Sequence, residues 1–316
     1  MIDGGKGADQ MTGGVGNDTY YMDNINDDAV ELMNGGHDSV VSTVALAAEI
    51  ANIEDYVFNI ATGLIFKAGN ADNSVAGGSG DDELTGGKGN DRLYGNNGDD
   101  RLAGAADNDV LDGGKGKDEM TGGSGNDIYQ VNNAKDLGIE AFDDGHDGVY
   151  STVSITALFE NVEDLNLVGT GTLNGIGNGL DNRMTGAEGK NTLDGGDGKD
   201  VLVGEGGNDI LIGGAGADSF NFDLHPKTVN DGHDTIKDFV KAEDVLDFIN
   251  VGDADSSGAV DLNDLLLVSS VVDHGAGKAV DLVFDNGAII TFAGIGTGAM
   301  NSADDLVANA AQIHVA

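Results

Sequence analysis

Fourteen times the chain spells one nine-residue unit, G-G-x-G-x-D-x-U-x, in which U is a large apolar side chain. The copies form three arrays: two starting at Gly4 and Gly13, seven in unbroken register from Ala68 to the copy at Gly122, and five from Gly177 to the copy at Gly213. A fixed short period excludes the mixed layering of an ordinary globular domain. It requires a repeat architecture in which each unit buries its apolar residue against its neighbours. The sixth position is Asp in eleven copies: Asp9, Asp18, Asp82, Asp91, Asp100, Asp109, Asp118, Asp127, Asp200, Asp209 and Asp218. It is Asn73, Asn182 and Asn191 in the other three, all at the starts of arrays.

The unit dictates its own local structure. Glycines admit positive φ and close backbone approach, so G-G-x-G-x reads as a tight turn. The residues D-x-U-x then form a very short strand with U pointing inward and its neighbours outward. Two units complete one coil, with a turn on either side, and coils stack about 4.8 Å apart. Asp91 therefore falls near Asp109 on one side, and Asp82 near Asp100 on the other. Carboxylates stacked this way repel unless a cation lies between them. Carboxylate and turn-carbonyl oxygens make a hard ligand set suited to Ca²⁺ with its six to eight ligands.

The overall charge fits that expectation. Asp and Glu number 56 against 15 Lys and Arg, a formal net charge of −41. Such a surface repels phosphate backbones and anionic membranes, which excludes nucleic acid as a partner. There is no cysteine, hence no disulfide, thiol nucleophile or zinc–thiolate site. Aromatic residues make up 5% of the chain, too few for a thick conventional core. No apolar run reaches the length of a membrane span, and "MIDGGKGADQ" at the start carries no apolar signal-peptide core.

The nonapeptides resemble the repeats-in-toxin (RTX) family. The resemblance implies an all-β fold, a parallel β-roll or β-solenoid, with multiple Ca²⁺ ions as cofactor. It implies type I secretion machinery as a partner, with an uncleaved signal near the C-terminus, and a secreted, extracellular or cell-surface bacterial location. The spacers between arrays resemble those of large bacterial surface proteins and adhesins. That implies a cell-surface or matrix polysaccharide or protein as a further partner class. The expected organisation is array 1 over 1–22, entered midway, a spacer coil over 23–67, array 2 over 68–132, a spacer coil over 133–176, array 3 over 177–222, and a cap over 223–316. Three copies depart from the family pattern at position four, with Ala71, Asp107 and Leu180 in place of glycine. At Asp107 either a strained turn or the lack of a tight ion is expected, and the asparagines at array starts are expected to weaken the first ion sites.

The spacers repeat each other. "GHDSVVSTV" from Gly36 matches "GHDGVYSTV" from Gly145, and "NIEDYVF" from Asn52 matches "NVEDLNL" from Asn161, both offset by 109 residues. A shorter third version, "GHDTIKDF", starts at Gly232. Asp38 and Asp147 follow Asp18 and Asp127 by 20 residues, and Asp234 follows Asp218 by 16, all near one coil of 18. Each spacer is therefore expected to begin as a wider coil on the roll, with Asp38, Asp147 and Asp234 closing a further ion site. The histidines of this motif, His37, His146 and His233, lie far apart in sequence outside any H-E-x-x-H pattern, and read as exposed turn residues.

Beyond Phe222 the pattern changes. "DTIKDFVKAEDVLDFINV" alternates apolar residues and reads as short strands capping the roll. "AVDLVFDNGAIITFAGI" reads as a hairpin turning at Asp285-Asn286-Gly287, and "SADDLVANAA" as a short helix capped by Ser302 and Asp305. Ahead of the hairpin "DADSSGAVDLND" has EF-hand spacing, with Asp253, Asp255, Ser257, the Ala259 carbonyl, Asp261 and Asp264 as ligands and Gly258 at the sharp turn. The following "LLLVSSVV" reads as an exiting helix, so the segment resembles a single dockerin-type loop. The cap thus carries one or two short helices on a β-rich body.

Calcium binding and folding are expected to be one event. Without the ion, a thin core and stacked like charges cannot offset backbone ordering at about 1–2 kcal/mol per residue. The expected function is an extracellular calcium-binding β-roll with a structural or surface-interaction role, and not an enzyme. The alternative is the C-terminal RTX tail of a secreted protease, lipase or polysaccharide-modifying enzyme whose catalytic domain lies outside this sequence. The chain carries no Gly-x-Ser-x-Gly elbow and no zinc-protease motif.

Overall fold

The computed structural model describes residues 1–142, 144–223, 232–240, 243–249, 269–275, 278–284, 288–295 and 312–315. The chain divides into two compact units, Met1–Tyr150 with Phe159–Asn161, and Ser151–Leu158 with Val162–Ala316. Each is a parallel β-solenoid, and the described residues contain strands and turns but no helix.

In the first unit the period of the sequence becomes the register of the sheets. Arg92–Tyr94 pairs in parallel with Ser74–Ala76 on one side and Val110–Asp112 on the other, each at a shift of 18 residues. On the opposite face Arg101–Ala106 pairs in the same way with Glu83–Lys88 and Glu119–Ser124. Two nonapeptides therefore make one coil, and alternate copies feed alternate sheets. The strands on the second face run to six residues because the next copy's glycines stay in the ladder, as in Ala105 opposite Gly87.

Side-chain alternation then places the core. Val75, Leu93, Leu111 and Tyr129 stack in one column, facing Phe66, Leu84, Leu102 and Met120 in the other, and all are buried. Each coil contributes a pair of apolar side chains, worth about 1.5–3 kcal/mol apiece on burial. The neighbours of each U residue point outward, where Glu83, Arg92, Arg101 and Glu119 are exposed.

The spacers continue the stack with coils of uneven length, 20 residues from Thr19 to Ser39 and 16 from Ser39 to Asp55. Thr19–Met22 pairs in parallel with Ser39–Ser42 at a shift of 20, and Ser39–Ser42 in turn with Asp55–Phe58. The first spacer packs the aromatic cluster Tyr56, Phe58 and Phe66, with ring centroids 4.8–6.4 Å apart. These rings fill the interior of the spacer.

The second unit repeats the design. Arg183–Thr185, Val201–Val203 and Ser219–Asp223 stack on one face, and Thr192–Asp197 and Ile210–Ala215 on the other. Its C-terminal part is strand-rich as expected: Val245–Ile249 extends the first face and His233–Ile236 the second. The expected hairpin forms from Val280–Phe284 and Ile289–Phe292, which pair antiparallel, and Ile289–Phe292 docks in parallel on His233–Ile236. One reading is corrected. Ser269–Asp273, in the segment expected as an exiting helix, is a strand pairing antiparallel with Val280–Phe284. A sheet edge offering unpaired N–H and C=O groups outweighs the helical spacing of a short apolar run. The EF-hand-like loop (Asp253, Asp255, Ser257, Ala259, Asp261 and Asp264), the hairpin tip and the segment expected to be helical from Ser302 lie outside the described residues.

Candidate metal centres

Each position-six aspartate folds back over its own turn. This is possible because position one is glycine. A Cβ on Gly95 would lie 2.3 Å from Oδ2 of Asp100, and one on Gly195 2.3 Å from Oδ2 of Asp200. With the side chain so placed, its two oxygens have different environments.

Oδ1 accepts the backbone N–H of the aspartate or asparagine one coil earlier. The contacts run Asn73 to Asp91 at 2.7 Å, Asp91 to Asp109 at 2.7 Å and Asp109 to Asp127 at 2.7 Å down one edge. Down the other run Asp82 to Asp100 at 2.7 Å, Asp100 to Asp118 at 2.9 Å and Asp118 to Asp136 at 3.2 Å. In the second unit Asn182 donates to Asp200 at 2.8 Å, Asn191 to Asp209 at 2.7 Å and Asp200 to Asp218 at 3.0 Å.

Oδ2 is buried without a hydrogen-bond partner in Asp9, Asp38, Asp91, Asp100, Asp109, Asp118, Asp127, Asp200 and Asp209. An anionic oxygen in that position is costly unless something positive faces it. Main-chain oxygens converge on the same place. The Cβ position of Gly95 is also 2.6 Å from the Gly113 carbonyl oxygen, and that of Gly195 2.6 Å from the Gly213 carbonyl oxygen. The carboxylate and carbonyl oxygens are therefore within about 5 Å of each other, the span across one Ca²⁺ with ligands at about 2.3–2.6 Å. These residues fit a calcium ion by geometry and by donor chemistry. They also leave the periodic carboxylates with no need of a catalytic role.

Burial sets the electrostatics. It raises Asp91 and Asp200 to a pKa of about 6, and Asp100, Asp109, Asp127 and Asp209 to about 7. The N–H bonds to Oδ1 oppose the shift in every case. Neighbouring carboxylates add to it for Asp100, which feels Asp82 and Asp118.

The ladder does not treat every acid alike. Asp82 is the first position-six aspartate of its array, and its Oδ2 accepts the Gly78 N–H at 2.7 Å. At the far ends Asp27 and Asp136 accept N–H groups of the preceding turn through Oδ2, from Asn24 at 3.0 Å and Asn133 at 3.0 Å. Asparagines open the arrays for a related reason. The Asn191 amide donates to the Leu173 carbonyl at 2.7 Å, and the Asn182 amide to the Val162 and Glu163 carbonyls at 3.2 Å. There the –NH₂ group faces the carbonyls that a cation would otherwise face, so the neutral residue starts the stack.

Among the spacer aspartates, Asp38 and Asp147 take the expected places, accepting the N–H groups of Asp18 at 2.7 Å and Asp127 at 2.8 Å. Asp234 does not stack on Asp218. It accepts from the Asp209 N–H at 2.8 Å across a 25-residue coil, and Asp244 accepts from Asp218 at 3.1 Å across 26. The pairings thus close longer coils of 25 and 26 residues rather than a shortened one. Asp27, Asp136 and Asp244 were not singled out by the repeat pattern. The first two lie 18 residues after Asp9 and Asp118, a signal that continuing the count would have found. His37, His146 and His233 are exposed, and the His37 ring meets Asp55 Oδ2 at 3.0 Å.

The strained turn also appears. The copy starting at Gly104 places Ala105 at φ 92° and Asp107 at φ 73°, where the copies one coil away on the same face have Gly87 and Gly89 or Gly123 and Gly125. Asp107 offsets part of its cost by accepting the Gly89 N–H at 3.1 Å.

Fold and site together define a calcium-binding β-roll built from nonapeptides. The arrays are RTX calcium-binding nonapeptide repeats: a family model of four such copies matches residues 1–21, 67–102, 94–129, 176–211 and 185–220. Repeats of this family bind Ca²⁺ at multiple sites. No curated protein matches the chain. Among solved structures, the extracellular lipase LipA from Serratia marcescens is similar at 19% identity, over 82% of this chain and 43% of that one. Its TM-score of 0.28 is too low to carry an argument. No helix among the described residues is long and apolar enough to cross a membrane.

Proposed function

We propose that the chain is an extracellular module that folds when its carboxylate ladder takes up Ca²⁺, after export of the unfolded chain by the type I route. Its role is structural or surface-interacting, of the adhesin kind. The observation that supports this reading is the row of buried, partnerless Oδ2 atoms. The ladder ligands in this reading are Asp9, Asp91, Asp100, Asp109, Asp118, Asp127, Asp200 and Asp209, joined by turn carbonyls.

The coupling follows from the chemistry of the row. Stacking the coils buries like charges that a divalent cation neutralises, so binding free energy is folding free energy. At submicromolar Ca²⁺ inside a cell the coils stay apart, and a chain in that state suits a narrow export channel. At millimolar Ca²⁺ outside, sites of modest affinity fill and the roll forms. Circular dichroism with Ca²⁺, with Mg²⁺ and with chelator tests this reading. Coil-to-strand conversion with Ca²⁺ and little change with Mg²⁺, which demands strict octahedral geometry, is expected. Equal strand content in all three would overturn it.

A further inference from the structure

Two clusters of three carboxylates stand where nonapeptides give way to spacer: Asp18, Glu31 and Asp38, and Asp127, Glu140 and Asp147. In each, one oxygen from every residue lies within 4.8 Å of the others. Neither glutamate belongs to a nonapeptide. Thr12 pairs with Val30 and Thr121 with Ile139, so the next rung sets Glu31 against Gly13 and Glu140 against Gly122. Within an array that rung belongs to the first glycine of the following copy, whose carbonyl oxygen faces the ion niche. At the junction a glutamate takes the glycine's place, and its side chain turns into the niche. A Cβ on Gly122 would lie 2.3 Å from Asp127 Oδ2, 2.5 Å from Glu140 Oε2 and 2.6 Å from Tyr129 Oη. On Gly13 the same construction meets Glu31 Oε2 and Tyr20 Oη at 2.4 Å and Asp18 Oδ2 at 2.7 Å.

We propose that these clusters are two divalent-cation sites closing the ladder where it meets each spacer, in which a spacer glutamate replaces a turn carbonyl as ligand. Three observations carry this beyond a collection of acids. First, Asp127 is 1% exposed and Asp38 fully buried, and Oδ2 of each has no hydrogen-bond partner. Second, each glutamate is held in place. The Tyr20 hydroxyl donates to Glu31 Oε2 and the Tyr129 hydroxyl to Glu140 Oε2, both at 2.5 Å. Glu31 Oε1 accepts the Leu32 N–H at 2.8 Å and Glu140 Oε1 the Ala141 N–H at 3.0 Å. Third, the whole constellation recurs at the 109-residue offset of the spacers. Three oxygens within 4.8 Å match ligands at about 2.3–2.6 Å around one Ca²⁺. Three carboxylates also give these sites more charge than a ladder site, so they should fill first and seed the stack from the spacer side.

The inference rests on the reading that the arrays bind calcium, and the test separates the two. Native mass spectrometry of the full chain in saturating Ca²⁺ counts bound ions. The Glu31→Ala/Glu140→Ala double variant, which removes the ligand oxygens as well as their charge, should hold two ions fewer than the wild type. An unchanged count overturns the junction sites and leaves the ladder reading intact, whereas a wild type that binds no Ca²⁺ overturns the ladder reading. Should the double variant fail to fold, Tb³⁺ read through tyrosine excitation decides, since the chain has no tryptophan. The Tyr20→Phe/Tyr129→Phe variant keeps every carboxylate. Its sensitised emission at the first equivalents of Tb³⁺ should fall at least threefold, and emission equal to the wild type would contradict the proposal.

Discussion

The backbone N–H of Asp91 donates to Oδ1 of Asp109, one coil further on, at 2.7 Å, while Oδ2 of Asp109 is buried with no hydrogen-bond partner. One side chain thus ties its coil to the previous one through a neutral donor and leaves an anionic oxygen for a cation. Asp109→Asn separates the two tasks. The amide oxygen still accepts the Asp91 N–H, but the charge is gone. The calcium midpoint for folding should rise by about tenfold, matching a loss of roughly 1.4 kcal/mol. Asp109→Ala removes both contacts and should raise it further. Titration of strand signal against free Ca²⁺ measures both.

Protons compete with calcium for the same oxygens. The folded-state pKa values of about 6 to 7 for Asp91, Asp100, Asp109, Asp127, Asp200 and Asp209 exceed the ordinary carboxylate value. The metal-free stack therefore holds more protons than the unfolded chain and loses stability as pH rises from about 4 to about 7. The window is read without calcium: in chelator, strand content should fall as pH rises from about 4 to about 7. Circular dichroism at fixed ionic strength across the window measures it, and a strand content independent of pH would contradict the buried ladder.

Backbone strain in the copy at Gly104 can be relieved. Ala105 is exposed, with φ 92°, and pairs with Gly87 and Gly123 in the coils on either side. Ala105→Gly removes the Cβ penalty of a left-handed conformation, about 1–2 kcal/mol. Thermal unfolding in saturating Ca²⁺ should show a higher midpoint. The substitution deletes only a methyl group, so no core contact is lost.

The reverse change at a close approach should be severe. Gly116 has φ 149°, and a Cβ there would sit 1.7 Å from the Gly98 carbonyl oxygen of the preceding coil. Gly116→Ala must push the two turns apart. It should raise the calcium midpoint more than Asp109→Asn does, because it disturbs turn carbonyls on both coils. Calcium titration of the two variants side by side gives the order.

The sequence made the roll legible because its period is uniform. Wherever 18 residues separate one rung from the next, as from Asp82 to Asp100, the pairing partner follows by counting. Counting fails where the coil changes length. Asp234 lies under Asp209 and Asp244 under Asp218 because those coils run to 25 and 26 residues, and no fixed period reveals that. Asp27, Asp136, Glu31 and Glu140 keep the 18-residue spacing from Asp9, Asp118, Gly13 and Gly122. They escaped notice because the glycines that mark a repeat are missing there. The role of Asn73, Asn182 and Asn191 was legible only as a lost charge. Their amide donors become visible once the carbonyls of the coil beneath are in place. The strand at Ser269–Asp273 depended on a partner, Val280–Phe284, that a local apolar pattern does not specify.

The central claim is that divalent cations hold neighbouring coils together. Small-angle X-ray scattering of the full chain after exhaustive chelation tests it most directly. The account predicts an expanded coil with a radius of gyration of roughly 60 Å, as expected for an unfolded chain of 316 residues, collapsing when millimolar Ca²⁺ is restored. A chelated chain as compact as the calcium-loaded one would contradict it.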